Sequence, residues 1–350
     1  MKAIDLFCGC GGLTLGVKRA GFQVVGAVDT DGLAVKTYKA NHPEVQVWEE
    51  DIRPLSTRRV KHRLRIRKGE LDLLAGCPPC QGFSTMRTLN GAVEPKDDRN
   101  DLIFVFMKWV SDFMPRAVML ENVPGLVQDV RFKRFCRILK NHGYIGRFDI
   151  LNAAEYGVPQ RRRRLIYVAG LGREIPFADK AIKQKTVRET IGALPPAGNS
   201  GDSAHDLPEK RNQRVVEIIR MIPRDGGSRK DLGEARQLEC HKRCDGFKDV
   251  YGRMAWDEVA PTITGGCFNP SKGRFLHPEE DRAITMREAA MLQSFPRRYK
   301  FPVEGNKCAL ALMIGNALPP EFGAALGRSI KRALSSRSVP TTLPGNNSTR

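Results

Sequence analysis

Along the first 170 positions, short apolar runs alternate with stretches whose apolar residues recur every three or four places. The runs predict strands at residues 2–7, 23–28, 45–48, 71–75, 117–120, 144–151 and 165–169. The amphipathic stretches predict a helix carrying Leu13, Leu15 and Val17, and further helices at 33–41, 101–113 and 132–141. Strands and helices in this alternation define an α/β fold with a doubly wound, mostly parallel sheet. From about 172 to 258 the texture turns to Gly, Pro and charge, with 214–221 as its clearest periodic stretch, and predicts a smaller, irregular second domain. Helices are predicted again at 286–294 and 319–333, and the Ser-, Thr- and Pro-rich end is expected to be disordered. The expected organisation is 1–170 as the sheet domain, 171–258 as the second domain, 259–333 as the return to the first, and 334–350 as a tail.

Composition supports a folded chain: 350 residues, 41% apolar and 28% charged, suffice for a sizeable core. The apolar stretches at 102–107 and 309–314 fall short of the ~18 residues of a membrane span. Asp5 and the glycines after it interrupt what would otherwise start a signal peptide. Nine cysteines without regular spacing argue against a disulfide framework and for a reducing, cytoplasmic setting.

Charge changes the picture more. With 58 Lys and Arg against 39 Asp and Glu the net charge is +19, which calls for a polyanionic partner, nucleic acid or an anionic membrane surface. Its distribution is uneven. Residues 53–68 hold eight cations and no acid, 131–164 carry a net +8, and 165–282 only +2. This expects phosphates to be positioned by the edges of the sheet domain, with bases read by the mixed-charge region. A solvated helix or loop is the alternative for 53–68.

The candidate chemistry begins where the first strand meets Cys8, Gly9, Cys10, Gly11 and Gly12. Glycines before a helix let a ligand approach backbone N–H groups, but Thr14 stands where a dinucleotide fingerprint has its third glycine. Twenty residues after Gly9, the second strand ends at Asp29, where a carboxylate can bind ribose hydroxyls, and Asp51 after the third strand can accept from an adenine amino group. Glycine, carboxylate and carboxylate at three strand ends suit an adenosine ligand without a pyrophosphate, S-adenosylmethionine above all. A tight turn with two helix caps is the alternative.

The fourth strand runs into Cys77, Pro78, Pro79, Cys80, Gln81, Gly82, Phe83 and Ser84. A thiol held on a rigid Pro-Pro turn at the carboxyl end of a strand suits a nucleophile for an electron-poor ring carbon. Two zinc readings compete. Cys77 and Cys80 could join Cys240, His241 and Cys244 in a structural site, or follow His42 and Glu44 in a base-deaminase pattern. Neither fits well: Pro-Pro removes N–H groups that stabilise zinc-bound thiolates, and Gly76 stands where the deaminase pattern has proline.

In order, DLFCGCGG (5–12), PPCQGFS (78–84), ENV (121–123), QRRRR (160–164), REAAMLQSFP (287–296) and IGNALPP (314–320) resemble the cytosine-C5 DNA methyltransferases of bacteria and phages, from Met1 to about Lys331. The resemblance implies a Rossmann-like, S-adenosylmethionine-dependent methyltransferase fold with a target-recognition domain. It implies a Cys80 thiolate that adds to cytosine C6, a Glu121 that hydrogen-bonds N3 and the exocyclic amine, and an Arg164 that reaches O2. Arg162 would help hold the site, Asn122 would order its loop, and residues 81–99 would close behind a flipped-out base. By the same resemblance Phe7, Gly9, Gly11, Asp29, Thr30, Asp51, Ile52, Pro79, Leu102, Asn316 and Ala317 line the cofactor site, with no metal. The implied partners are double-stranded DNA and a separate restriction endonuclease, the protein acting as a cytoplasmic monomer and not on a membrane. An RNA-directed cytosine-C5 methyltransferase shares these motifs and remains the alternative substrate reading, and a non-catalytic DNA-binding module is a third. Two departures are visible: Asp29 is one methylene shorter than the more usual glutamate, and Cys77 stands where glycine is frequent.

Overall fold

A computed structural model describes residues 1–79, 101–233, 249–302 and 307–336. Its first half alternates β1 (Lys2–Leu6), α1 (Gly12–Arg19), β2 (Gln23–Asp29), α2 (Gly32–Asn41), β3 (Gln46–Glu49), α3 (Thr57–Leu64), β4 (Leu73–Gly76), α4 (Leu102–Phe113), β5 (Ala117–Asn122), α5 (Val130–Asn141), β6 (Tyr144–Asn152) and β7 (Arg163–Leu171). Helices α2 and α5 begin where the sequence supplies caps, Asp31 accepting from the N–H groups of Leu33 and Ala34, and Asp129 from that of Arg131.

Among the described residues one seven-stranded sheet forms, in the order β3-β2-β1-β4-β5-β7-β6. The pairs β1·β2, β1·β4, β2·β3 and β4·β5 are parallel, and β7 runs antiparallel to both β5 and β6. A short connection suffices there, because antiparallel neighbours need no helical crossover. Leu13 and Val17 of α1 and Phe322, Leu326 and Ile330 of a late helix cover one face of the sheet. Phe106, Trp109 and Phe113 of α4 and Phe132, Phe135 and Leu139 of α5 cover the other. Each such side chain contributes about 1.5–3 kcal/mol on burial.

The cation-rich run at 53–68 becomes α3 and its flanks. α3 links the carboxyl end of β3 to the amino end of β4, so the run passes from the carboxyl-end side of the strands to their amino-end side. Arg58 and Arg59 lie in its first turn, Arg59 paired with Glu50, while Arg65, Arg67 and Lys68 follow its last turn. The run is therefore not one patch.

The later chain adds α6 (Val187–Ile191), α7 (Gln213–Met221), α8 (Met286–Leu292), α9 (Lys307–Asn316) and α10 (Pro320–Ser335). Sequence periodicity missed α9 as a helix, because Leu310, Ala311, Met313 and Ile314 leave it without a clean polar face. Residues 307–335 are long and apolar enough for a membrane span, but 72% of an apolar 18-residue stretch within them is buried in the protein, and a break divides the segment into α9 and α10. Residues 173–179 lie against α10: Arg173 donates to Ala333 O (2.8 Å) and Ser329 to Pro176 O (2.7 Å). Beyond them a small cluster of Ile218, Ile219, Ile222, Val250, Tyr251 and Leu276 surrounds Arg253, which is 0% exposed. That guanidinium donates to the carbonyls of Ile219, Ile222, His277 and Glu280 and to the Asp281 carboxylate. One arginine thus satisfies loop carbonyls that regular structure would otherwise pair.

Candidate active site

Strand order reverses between β1 and β4, and open α/β sheets take ligands in the crevice outside the carboxyl ends at such a point. A cavity of about 480 Å³ opens there, within the range of small-molecule sites. Past β1 the chain turns sharply, with Phe7 at φ +60° and Gly9 at φ +51°. A Cβ added at Gly9 would meet nothing within 4 Å, so the backbone there is open to a ligand.

Asp29 faces this turn from the end of β2. One carboxylate oxygen accepts from Gly9 N–H (2.7 Å), the other from Asp31 N–H (3.0 Å). Burial raises its pKa, and these two N–H donors oppose the rise. Thr30 and Ile52 line the cavity, as does Asp51, whose carboxylate is bound by Arg53 (2.9 and 2.7 Å) and held below the usual carboxylate range. Leu102, Pro79, Asn316 and Ala317 complete the part of the wall expected from sequence. Gly11 is the exception. It does not line the cavity, and its α-carbon faces His42 and Tyr299 instead.

At the other end, Glu121 near the end of β5 accepts from Arg164 Nε at 3.0 Å. In a strand alternate residues share a face, so Arg162 and Arg164 turn inward while Arg161 and Arg163 are exposed. Arg162, 2% exposed, donates to Ile263 O and Gly315 O, both at 3.1 Å, and its Nε finds no acceptor among the described residues. Burial and then Arg164 lower its pKa to about 9, so it stays cationic at neutral pH. Asn122 donates to Pro78 O (2.9 Å) and accepts from Val123 N–H (2.8 Å), tying the end of β5 to the turn after β4. Cys80, two residues past that tie, lies outside the described residues, as do 81–99 and Cys240, His241 and Cys244.

Sequence reasoning missed several residues. Cys77 lines the cavity beside Glu121; loss of solvent and then that carboxylate push its thiol well above its ordinary range. Leu312 and Met313 bring α9 into the wall, and their signal was the apolar run 309–314. Gln160 is a buried hub, donating to Gln293 Oε1 (2.7 Å) and Leu292 O (3.0 Å) and accepting from Ile263 N–H (3.0 Å). Gln293 in turn donates to Ile314 O at 2.7 Å, which fixes α9 just before Asn316 and Ala317. His42 and Glu44, the deaminase candidates, are engaged by Lys18.

The cavity fits an adenosine-containing sulfonium: an open glycine turn, a carboxylate oriented by backbone N–H groups, a second carboxylate at its rim, and apolar walls from Ile52, Pro79 and Leu102. The same sheet organisation occurs in known methyltransferases. A crystal structure titled a putative DNA modification methyltransferase encoded within an Escherichia coli prophage matches with a TM-score of 0.70 at 26% identity, covering 96% of this chain and 100% of that one. The Entamoeba histolytica methyltransferase EhMeth shares the fold, with a TM-score of 0.66 at 17% identity over 96% of this chain and 99% of that one.

Sequence comparison narrows the class. The family model described as C-5 cytosine-specific DNA methylase matches residues 1–332. The type II methylase M.HgiDII of Herpetosiphon aurantiacus is 36% identical over 95% of both chains, and the type II methyltransferase M1.HphI of Haemophilus parahaemolyticus 32% identical over 93% of this chain and 86% of its own. This chain belongs to the C-5 cytosine-specific DNA methylase family and is a DNA (cytosine-5-)-methyltransferase, membership that implies dependence on S-adenosylmethionine.

Proposed function

We propose that the protein methylates C5 of a cytosine flipped out of a specific duplex sequence, using a covalent bond from Cys80 to C6. The observation that carries this reading is the Glu121–Arg164 pair at 3.0 Å, beside a cavity whose other end presents Asp29 and the open Gly9 turn. Phe7, Gly9, Asp29, Thr30, Asp51, Ile52, Pro79, Leu102, Asn316 and Ala317 hold S-adenosylmethionine, with Asp29 at the ribose and Asp51 at the adenine amine. Gly11 serves the loop from behind. When bound, S-adenosylmethionine supplies an electrophilic methyl group.

The protein's own groups do the rest. Cytosine C5 is a weak nucleophile until a thiolate adds at C6, and Cys80 makes that bond. Glu121 places a proton at N3 and accepts from the exocyclic amine, drawing charge out of the ring as C6 is attacked. Arg164 holds the Glu121 carboxylate and turns its guanidinium toward O2. Arg162, with both terminal nitrogens on backbone carbonyls, positions the wall rather than the base. Loss of the C5 proton then expels the thiolate.

Residues 171–258 contain the base-reading part, and the packing of 173–179 on α10 supports placing the base contacts in the chain after them. The setting is the cytoplasm, the protein a monomer, and a companion endonuclease that cuts the unmodified sequence suits the type II relatives. Labelled methyl transfer to duplex DNA and to total tRNA, run side by side, tests the substrate class, and bisulfite sequencing of the DNA locates the base. Transfer to tRNA alone overturns the reading.

Asp29→Ala is expected to weaken S-adenosylmethionine binding by about 10- to 100-fold, the loss of hydrogen bonds to a charged group. Calorimetric titration checks it, and an unchanged affinity removes Asp29 from the cofactor site.

A further inference from the structure

Behind the glycine turn, away from the cavity, lies a buried polar chain to which the methyl-transfer chemistry assigns no role. Tyr299, 4% exposed, donates its hydroxyl proton to Cys10 O at 2.5 Å. That proton being spent, the 3.1 Å contact between Tyr299 Oη and His42 Nε2 requires the imidazole to donate. The tautomer so fixed leaves Nδ1 as an acceptor for Lys18 Nζ at 3.3 Å, and Lys18 also reaches Glu44 at 2.5 Å. Burial and then Lys18 lower the pKa of His42 to about 4, so the imidazole is neutral across the physiological range, as the chain of bonds demands. Donation thus runs one way, from Lys18 through His42 and Tyr299 to the carbonyl of Cys10.

Cys10 sits between Gly9, whose N–H bonds Asp29, and Gly11, whose N–H closes the turn on Cys8 O at 2.9 Å. Gly11 has φ +92°, and a Cβ on it would lie 2.7 Å from His42 Nε2 and 2.8 Å from Tyr299 Oη, so the ring pair fills the space directly behind the turn. Tyr299 is itself fixed: Arg287 donates to its carbonyl at 2.9 Å, and Phe295 and Phe301 pack on its ring.

We propose that Tyr299, relayed by His42, is a positioning residue for the cofactor, pinning the Cys10 carbonyl so that the Gly9 N–H and Asp29 are preset to receive the ribose. The inference rests on the S-adenosylmethionine reading above. It assigns to the last third of the chain control over cofactor affinity without contact with the cofactor.

Tyr299→Phe keeps the ring packing and removes the bond. The expected result is a rise of about 3- to 10-fold in both Kd and KM for S-adenosylmethionine, with kcat at saturating S-adenosylmethionine and Kd for duplex DNA within about twofold of wild type. His42→Gln, whose side-chain amide can still donate to Tyr299, is expected to keep Kd closer to wild type than His42→Leu, which cannot. A lowered melting temperature with unchanged Kd, or a fall in kcat at unchanged KM, overturns the inference while leaving the cofactor reading intact. Failure of the wild-type protein to bind S-adenosylmethionine overturns both. If Tyr299→Phe does not fold, the His42 pair decides: equal affinities in Gln and Leu variants overturn the proposal.

Discussion

Cys80→Ser is expected to reduce methyl transfer by three orders of magnitude or more, roughly to background, while S-adenosylmethionine affinity stays within about twofold of wild type. A thiol ionises near pH 8.5 in isolation, whereas a serine hydroxyl supplies almost no alkoxide at neutral pH, so addition at C6 loses its nucleophile. The cofactor groups are built elsewhere. Asp29 and the Gly9 turn belong to the ends of β2 and β1, and their mutual bond is independent of position 80. The same experiment has a positive arm: wild-type protein should form a denaturation-resistant adduct with DNA containing 5-fluorocytosine, because the fluorine cannot leave as the C5 proton does. Full activity in Cys80→Ser, or no adduct with wild type, contradicts the covalent mechanism.

Glu288→Gln is expected to cost about 3–5 kcal/mol of stability at pH 7, as breaking one side of a buried ion pair does. Glu288 is 1% exposed. Both its oxygens accept from Arg282 at 2.8 Å, and one also accepts from Thr285 N–H at 2.7 Å, while Thr285 Oγ1 accepts from Glu288 N–H to complete a capping box. Burial would raise the Glu288 pKa, but the Arg282 bonds outweigh it and the net shift is downward. A depressed folded-state pKa means that the contribution is fully present above the ordinary value of 4.5 and is lost as pH falls through the folded one. The gap between wild type and variant, measured by urea unfolding, should therefore be full at pH 7 and narrow below about pH 4.5. A constant gap, or one under about 1 kcal/mol at pH 7, shows that the pair does not hold α8.

Most strand positions in the first half were legible because each strand is a short apolar run between glycine or capping residues, and the structure moves their ends by only a residue or two. Asp29 and Asp51 were legible for the same reason, since the end of a predicted strand fixes which way a side chain can face. That Gly11 turns its α-carbon away from the cavity was not legible, because a glycine pattern does not say which side of a turn faces a cavity; that is set by His42 and Tyr299, the second of them 288 residues later in the chain. Gln160 and Gln293 were legible only as letters in motifs, because a buried hydrogen-bond hub leaves no periodicity. The segment around Arg253 was unreadable for a related reason: its order comes from one guanidinium collecting carbonyls, not from a repeating apolar face.

The pairing of α1 with α10 bears on how the protein is made. Phe322, Leu326 and Ile330 seal the face of the sheet that α1 only partly covers, yet they follow it by some three hundred residues. During synthesis the sheet can assemble, but that face stays bare and the Asn316–Ala317 wall of the cavity is missing until the last described helix has left the ribosome. Methylating capacity therefore waits on α10, and a chain cut short before Pro320 is a sticky fragment rather than a weak enzyme.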